Sequence, residues 1–418
     1  MGQLGYNLLT QAYFLGIRIA SLWNEKARLW VTGRVGVFEK MAAEIPQKRR
    51  DHQRLVWMHC ASLGEFEQGR TIIEALKKQH PKVLVLLTFF SPSGYEIRKN
   101  YPMADWVFYL PADSKVNAQR FLDLVKPDLA IFVKYEFWYY YLSQLRQRQI
   151  PALLIAAIFR PSQPFFQWYG GLHRRMLHCF SKILVQDAGS NELLSRINLP
   201  NVTIAGDTRV DRVLEIANNP MELPLVKAFC GYAQVLIFGS TWPADEAIIY
   251  PILTHEKFKD WKFILAPHDV QSSHIQAIEE KLEVSNCRFS QLENVDLLAT
   301  RLLLVDNIGL LSSLYAHGKI AYIGGGFGQG IHNTLEPAAH GLPVVFGPKY
   351  QKFEEAVWLV ENGGGFVVRD SRELMEVLAR LSNVTIQAKA SEASNTYLNQ
   401  RAGATQTTMK EVVTLLFG

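Results

Sequence analysis

From Leu55 onward, short apolar runs alternate with amphipathic stretches, and the alternation pauses once, near the middle of the chain. The runs are Leu55–Cys60, Val83–Phe89, Trp106–Tyr109, Leu129–Val133, Ala152–Ala157, Lys182–Val185 and Val202–Ala205. They have the length of strands and are apolar along most of it. Strands of that kind, joined by helical stretches such as Phe66–Lys78 and Ser114–Leu124, belong to a parallel sheet covered on both faces. A second series follows: Val235–Gly239, Lys262–Ala266, Leu302–Asp306, Ile320–Gly324, Val344–Phe346 and Gly365–Val368. Between the two series, residues 206–228 contain Gly206, Asn218, Asn219, Pro220 and Pro224, which reads as an interdomain connection.

The expectation is an α/β chain of two doubly wound, Rossmann-like domains, with a cleft where the strand carboxyl ends face each other and ligands bind. Its 418 residues suit two domains of roughly 200 each. A hydrophobic share of 48% excludes a disordered chain. The expected limits are 1–30 for an N-terminal helix, 31–212 for the first domain and 213–418 for the second, the last helix returning to the first domain. Cys60, Cys179, Cys230 and Cys287 form no CxxC pair, which argues against a disulfide framework or structural zinc and for a reducing, cytosolic compartment.

Charge is uneven. Residues 1–60 carry nine Lys/Arg against four Asp/Glu, and the rest of the chain carries 35 of each. The basic excess sits beside a mostly apolar segment, Leu4–Trp23, so an anionic lipid surface fits better than nucleic acid. At 100° per residue, Asn7, Thr10, Gln11, Arg18, Ser21 and Glu25 form one polar stripe. Tyr13, Phe14, Leu15, Ile17, Leu22 and Trp23 lie off it. Such a helix can lie in a membrane interface with Lys26, Arg28 and Arg34 near headgroups; the alternative is a helix packed on the first domain. No positive charge precedes the apolar run, so it does not read as a cleaved signal peptide.

Several segments at strand ends carry chemistry. Ala61-Ser62-Leu63-Gly64-Glu65 follows the first strand and opens a helix. Gly64 permits a tight turn, and Glu65 is either a favourable partner for the helix dipole or a general base. Ser91 or Ser93 suits a helix cap. Lys134-Tyr135-Glu136-Phe137-Trp138 places a Lys and a Glu among aromatics, readable as an ion pair. Ser240 and Thr241, in Gly239-Ser240-Thr241-Trp242, suit a helix cap or a phosphate contact equally. Pro267 and His268 end the next strand; a lone His there is more often structural. Residues 323–348 are the strongest stretch: five glycines fall between 324 and 330, then a helix begins. The backbone amides of such a loop can cradle a phosphate, and Glu336 can accept bonds from ribose hydroxyls. No register gives the dinucleotide G-x-G-x-x-G pattern or a P-loop. No Asp-x-Asp-type site stands out, and no metal is expected.

Taken together, Ala61–Glu65, the Glu136 segment, Gly239–Trp242 and Gly328–Ala339 (GQGIHNTLEPAA) resemble the 3-deoxy-D-manno-octulosonate (Kdo) transferases. The resemblance spans Leu4 to about residue 360. It implies a GT-B glycosyltransferase at the cytoplasmic face of the inner membrane, moving Kdo with inversion from CMP-Kdo to a lipid A precursor, lipid IVA. CMP-Kdo is then a co-substrate, and no separate cofactor is implied. It further implies an acceptor-binding first domain and a donor-binding second one, Glu65 as catalytic base and Glu136 as a second essential acid. Gly328, Gly330 and Asn333 would hold the CMP phosphate and Glu336 the ribose, with Ser240, Thr241, Pro267 and His268 completing the donor site. Two departures stand out. The family's Pro-Arg-His reads Pro267-His268-Asp269 here, and its Trp-Pro-Asn reads Trp138-Tyr139-Tyr140. Alternatives are another GT-B enzyme or an epimerase using a UDP-sugar, a nicotinamide-dependent reductase, disfavoured by the failed glycine pattern, and a non-catalytic membrane adaptor.

Overall fold

The computed structural model describes residues 2–50 and 52–418; Asp51, one of the four N-terminal acids, lies outside them. The chain divides into two compact units. The first comprises residues up to Asp211 together with Ala402–Gly418, and the second is Arg212–Arg401.

The first unit is built on seven parallel strands: β1 (Leu55–Cys60), β2 (Leu84–Phe89), β3 (Trp106–Tyr109), β4 (Leu129–Val133), β5 (Ala152–Ala157), β6 (Lys182–Val185) and β7 (Val202–Ile204). Their order is β3-β2-β1-β4-β5-β6-β7. β1, β2, β4 and β5 are buried along their whole length because helices cover both faces. Alternate residues of β1 feed different cores: Leu55 and Trp57 join one cluster, Val56, Met58 and Cys60 the other. The C-terminal helix, Ala404–Phe417, adds Met409, Val412 and Leu416 to the second cluster. Asp211 anchors its start by accepting the amides of Gly403 and Thr405 at 2.6 and 2.5 Å.

The second unit also has seven parallel strands: β8 (Val235–Thr241), β9 (Lys262–Pro267), β10 (Asn286–Arg288), β11 (Leu302–Leu304), β12 (Ile320–Ile323), β13 (Val344–Phe346) and β14 (Gly365–Val367). Their order is β10-β11-β9-β8-β12-β13-β14. Each sheet therefore reverses its winding once, between β1 and β4 in the first unit and between β8 and β12 in the second. Such switch points are where open parallel sheets bind ligands.

Every apolar run read from the sequence is a strand, with ends shifted by at most two residues. Two readings need correction. Residues 206–228 are not a plain connection: Thr208–Asn218 is a helix, with the unit boundary inside it. Its Val210 and Val213 are buried, and Thr208 donates to the Gln68 carbonyl at 2.7 Å. Arg34 does not face outward. Its guanidinium donates to the carbonyls of Leu110, Trp30 and Phe90 at 2.8–3.0 Å and lies 3.8 Å from the Trp30 ring centre. Burial pushes its pKa down to about 9.

The N-terminal helix, Gln3–Ala20, has inverted polarity. Its inner side is held by polar bonds: Tyr6 donates to Asp113 at 2.6 Å, Tyr140 donates to Asn7 at 2.6 Å, and Gln3 donates to the Tyr140 hydroxyl at 3.3 Å. Its outer side carries Leu4, Leu8, Leu9, Leu15 and Ile19, with Leu22 and Trp23 just beyond its end, all 50–81% exposed. Arg18, Lys26 and Arg28 are exposed as well. No helix among the described residues is long and apolar enough to cross a membrane.

Candidate active site

In the first unit the switch point gathers two carboxylates. Glu65 lies in the first turn of the helix Leu63–Gln79, which opens at the Ser62 cap right after β1. A carboxylate there meets the positive end of the helix dipole. Ser62 donates its hydroxyl to Glu65 Oε2, fixing the side chain half-buried at the strand's end. Gly64 makes no tight turn. It sits inside the helix without positive φ, and a Cβ there would meet only Ser62 Oγ at 3.8 Å.

Glu136 follows β4. The chain reaches it through Lys134, a non-glycine residue at φ 67°, a left-handed conformation that costs about 1–3 kcal/mol. Glu136 is buried, with both of its bonds on Oε2: His59 Nε2 at 2.8 Å and the Trp138 indole at 2.7 Å. It is no partner of Lys134, so the ion-pair reading fails; its partners come from β1 and from two residues downstream. His59 is wholly buried, and its Nδ1 lies 2.9 Å from the Thr88 hydroxyl, which itself accepts the Trp57 indole at 2.8 Å. Glu65 and Glu136 share a neighbourhood. The Cys60 thiol is pushed well above its ordinary value by burial first, then by Glu65 and Glu136. Ser91 caps the helix Pro92–Arg98 by accepting the Ser93 amide at 3.2 Å.

The second unit's switch point gathers the other predicted residues. Ser240, next to last in β8, sits at φ 54°, in the left-handed region like Lys134. Thr241 does not cap the following helix: its hydroxyl is buried and donates to Glu246 at 3.3 Å. The helix Pro243–Leu253 starts instead at Trp242, whose amide bonds Asp245 at 3.0 Å. The same carboxylate accepts the Gly325 amide at 2.9 Å and the Tyr322 hydroxyl at 2.8 Å, tying the glycine-rich loop to β8. Gly324 fits only without a side chain, since a Cβ would lie 2.2 Å from the Ser240 carbonyl oxygen. The amides of Gly328 and Gly330 both donate to Gly325 O, at 2.9 and 3.3 Å, closing the loop on itself. Asn333 donates to Glu336 at 2.9 Å, so the two residues read as donor contacts are held together.

Pro267 ends β9, and His268 follows with its ring in a ladder. It stacks on Trp242 at 4.6 Å and on His332 at 4.5 Å, and the Trp242 indole donates to His332 Nε2 at 2.8 Å. A ring that accepts this bond is neutral at that nitrogen, and burial lowers the His332 pKa, with His268 adding to the effect. Behind the ladder, His274 bonds Glu246 at 3.0 Å, and burial raises the Glu246 pKa despite that partner.

The sequence reading gave no role to His59, Asp245, His274 and His332, and named Trp138 without its bond to Glu136. For His59 a signal existed: it is the one polar residue in the buried strand LVWMHC. Among the described residues no group of three His, Cys, Asp or Glu could hold a metal ion.

Comparison with known proteins bears on this geometry. Residues 32–212 match the family model described as 3-Deoxy-D-manno-octulosonic-acid transferase (kdotransferase), a span that includes Glu65, His59 and Glu136. A 3-deoxy-D-manno-octulosonic acid transferase of Aquifex aeolicus is 29% identical over 345 residues, covering 81% of this chain and 89% of that protein. One from Rickettsia felis is 28% identical over 364 residues, covering 83% and 76%. The structure is similar to that of UDP-GlcNAc 2-epimerase from Neisseria meningitidis, with a TM-score of 0.59 at 15% identity, covering 86% of this chain and all of that one. At that identity the likeness is one of fold. Over residues 32–212 the chain thus carries the domain described for the Kdo transferases, and over most of its length it is similar to curated members of that glycosyltransferase family at 28–29% identity.

Proposed function

We propose that the protein transfers Kdo from CMP-Kdo to a lipid A precursor, lipid IVA, with inversion at the anomeric carbon. The observation that carries the reading is the pair of carboxylates at the β1/β4 switch point, inside the span matched by the family model. Glu65 takes the proton of the acceptor hydroxyl as its oxygen bonds the anomeric carbon. The bond from that carbon to the phosphate oxygen breaks, and CMP leaves with the electron pair. A carboxylate is a weak base beside an alcohol, so proton transfer comes late, as the C–O bond forms. Glu136 presents a second negative edge to the sugar.

The second unit takes the donor. Asn333 and the Gly328–Gly330 segment hold the phosphate, which replaces Gly325 O as partner of the two loop amides, and Glu336 holds the ribose. Ser240, Thr241, Pro267 and His268 frame the site, the Trp242–His268–His332 ladder standing where the family's arginine is missing. The chemistry needs no cofactor beyond CMP-Kdo, the co-substrate. The outer face of the N-terminal helix lies in the anionic inner leaflet of the inner membrane on its cytoplasmic side, Arg18, Lys26 and Arg28 meeting headgroups. A cavity of about 570 Å³ beside it, lined by Phe14, Leu15, Trp30 and Val35, is apolar enough for the same environment. Nucleic acid has no part in this reading.

The test is incubation with CMP-Kdo and a tetraacylated lipid A precursor, products read by mass. One or more Kdo additions are expected. No addition, with UDP rather than CMP raising the melting temperature, would favour a UDP-sugar enzyme instead.

A further inference from the structure

We propose that His59 is a positioning residue for Glu136: it fixes the carboxylate's charge and orientation, leaving Oε1 as the working edge. The inference rests on the reading of Glu136 as a site acid. It is carried by a chain of hydrogen bonds from β2 to the end of β4. Trp57 Nε1 donates to the Thr88 hydroxyl at 2.8 Å, and that hydroxyl lies 2.9 Å from His59 Nδ1. His59 Nε2 lies 2.8 Å from Glu136 Oε2, which also takes the Trp138 indole proton at 2.7 Å. Glu136 Oε2 accepts the Trp138 indole proton, and with the acid ionised the ring's Nε2 must carry the proton that points at it. Nδ1 faces both the Thr88 hydroxyl at 2.9 Å and the Thr88 carbonyl at 3.1 Å, accepting from the one or donating to the other, so the Nε2 proton is common to both arrangements.

Three features separate this from a buried polar pair that merely satisfies itself. Both bonds fall on Oε2, and Oε1 receives none among the described residues. A structural carboxylate at this depth would be expected to use both oxygens. The pair sits at the switch point of its sheet, with Glu136 two residues past the strained Lys134. Burying a histidine and a carboxylate gives little net stability over an apolar pair of equal volume, so the pair is better explained by use than by stability.

The test uses the full-length protein in detergent. In the wild type, nitrogen-15 spectra of labelled histidine, with the His59 signals identified by their loss in His59→Gln, should show a proton on Nε2. A ring bare at Nε2 would overturn the proposal. Kinetically, His59→Leu should lower kcat roughly tenfold or more, the effect of losing one bond to a charged group, while CMP affinity by calorimetry stays unchanged. His59→Gln, whose amide can reach the same oxygen, should recover most of that loss. In a Glu136→Gln background the His59→Leu effect should nearly vanish. Losses that multiply instead would show His59 acting independently and sink the proposal, while leaving Glu136 in place. Full turnover in Glu136→Gln alone would remove Glu136 from the reaction and the proposal with it. If His59→Leu does not fold, the tautomer and the His59→Gln rate decide.

Discussion

Glu65→Gln keeps the size of the side chain and its bond to Ser62 but cannot take a proton. A positioned base contributes roughly a hundredfold or more to such a transfer, so turnover should fall by at least that factor at saturating donor. CMP affinity should stay near wild type, because the residues read as its contacts lie in the other unit; retained turnover in a folded variant would move the base elsewhere. Gly324→Ala tests the second site through sterics. The added Cβ meets backbone, 2.2 Å from Ser240 O and 2.7 Å from Thr241 Cα, and neither can step aside cheaply. Destabilisation of about 1–3 kcal/mol is expected in denaturant unfolding, together with weaker CMP binding; an unchanged midpoint would mean that the loop does not press on β8. At this scale the sequence was readable where the chemistry is local. Glu65 opens a helix after a strand, and the glycines crowd one loop. His59 was not readable as a partner of Glu136, because the two are 77 residues apart and only the adjacency of β1 and β4 brings them together. Arg34 was misread because a charge count is blind to the three carbonyls that claim its guanidinium.

At the scale of elements, strands were legible because burial on both faces demands apolar residues at every position. β10 escaped notice because Asn286-Cys287-Arg288 is a three-residue edge strand with no apolar run. The helix Thr208–Asn218 escaped because Gly206 and Pro220 drew the eye to its ends, while Val210 and Val213 mark its buried side. The N-terminal helix was legible as amphipathic, but Asn7 of its polar stripe was not legible as a contact with the protein, while Gln11 and Arg18 of the same stripe are exposed. Its outer side supports a prediction: Leu8→Glu with Leu15→Glu should move the protein off anionic vesicles in a flotation assay, because each apolar side chain withdrawn from lipid costs about 2 kcal/mol. Equal flotation of variant and parent would show that the contact lies elsewhere. Its inner side supports another. Burial raises the Asp113 carboxyl to about 6, even though Tyr6 and the amides of Tyr140 and Tyr141 donate to it. An ordinary Asp titrates near 3.9 in the unfolded chain, so the folded state binds the proton more tightly. The stability this proton contributes is fully present below about pH 4 and is lost as pH rises toward 6, roughly 3 kcal/mol in all. Stability curves of wild type and Asp113→Asn, compared across that window, should diverge with that sign; parallel curves would show no linkage at Asp113.

For the whole molecule, the two units repeat one plan: a parallel sheet, a single reversal of winding, and a left-handed residue near the end of a strand beside it, Lys134 in one and Ser240 in the other. The repetition was visible in the sequence as two series of apolar runs. The last helix packs on the first unit, where Met409, Val412 and Leu416 join its core, and nothing in residues 404–417 themselves names that partner sheet. One feature of the first unit bears on how such a protein can be handled. Gln3, Tyr6 and Asn7 meet Asp113 and Tyr140, and Tyr140 and Tyr141 begin the helix that follows Glu136 within five residues. Trimming the chain before residue 24 to obtain a freely soluble preparation would thus strip partners from the segment that carries the second site acid. Such a trimmed protein should turn over a water-soluble, deacylated acceptor more slowly than the full chain does, in an assay where no lipid surface is present to matter. Equal rates would show that the helix serves the membrane and nothing else.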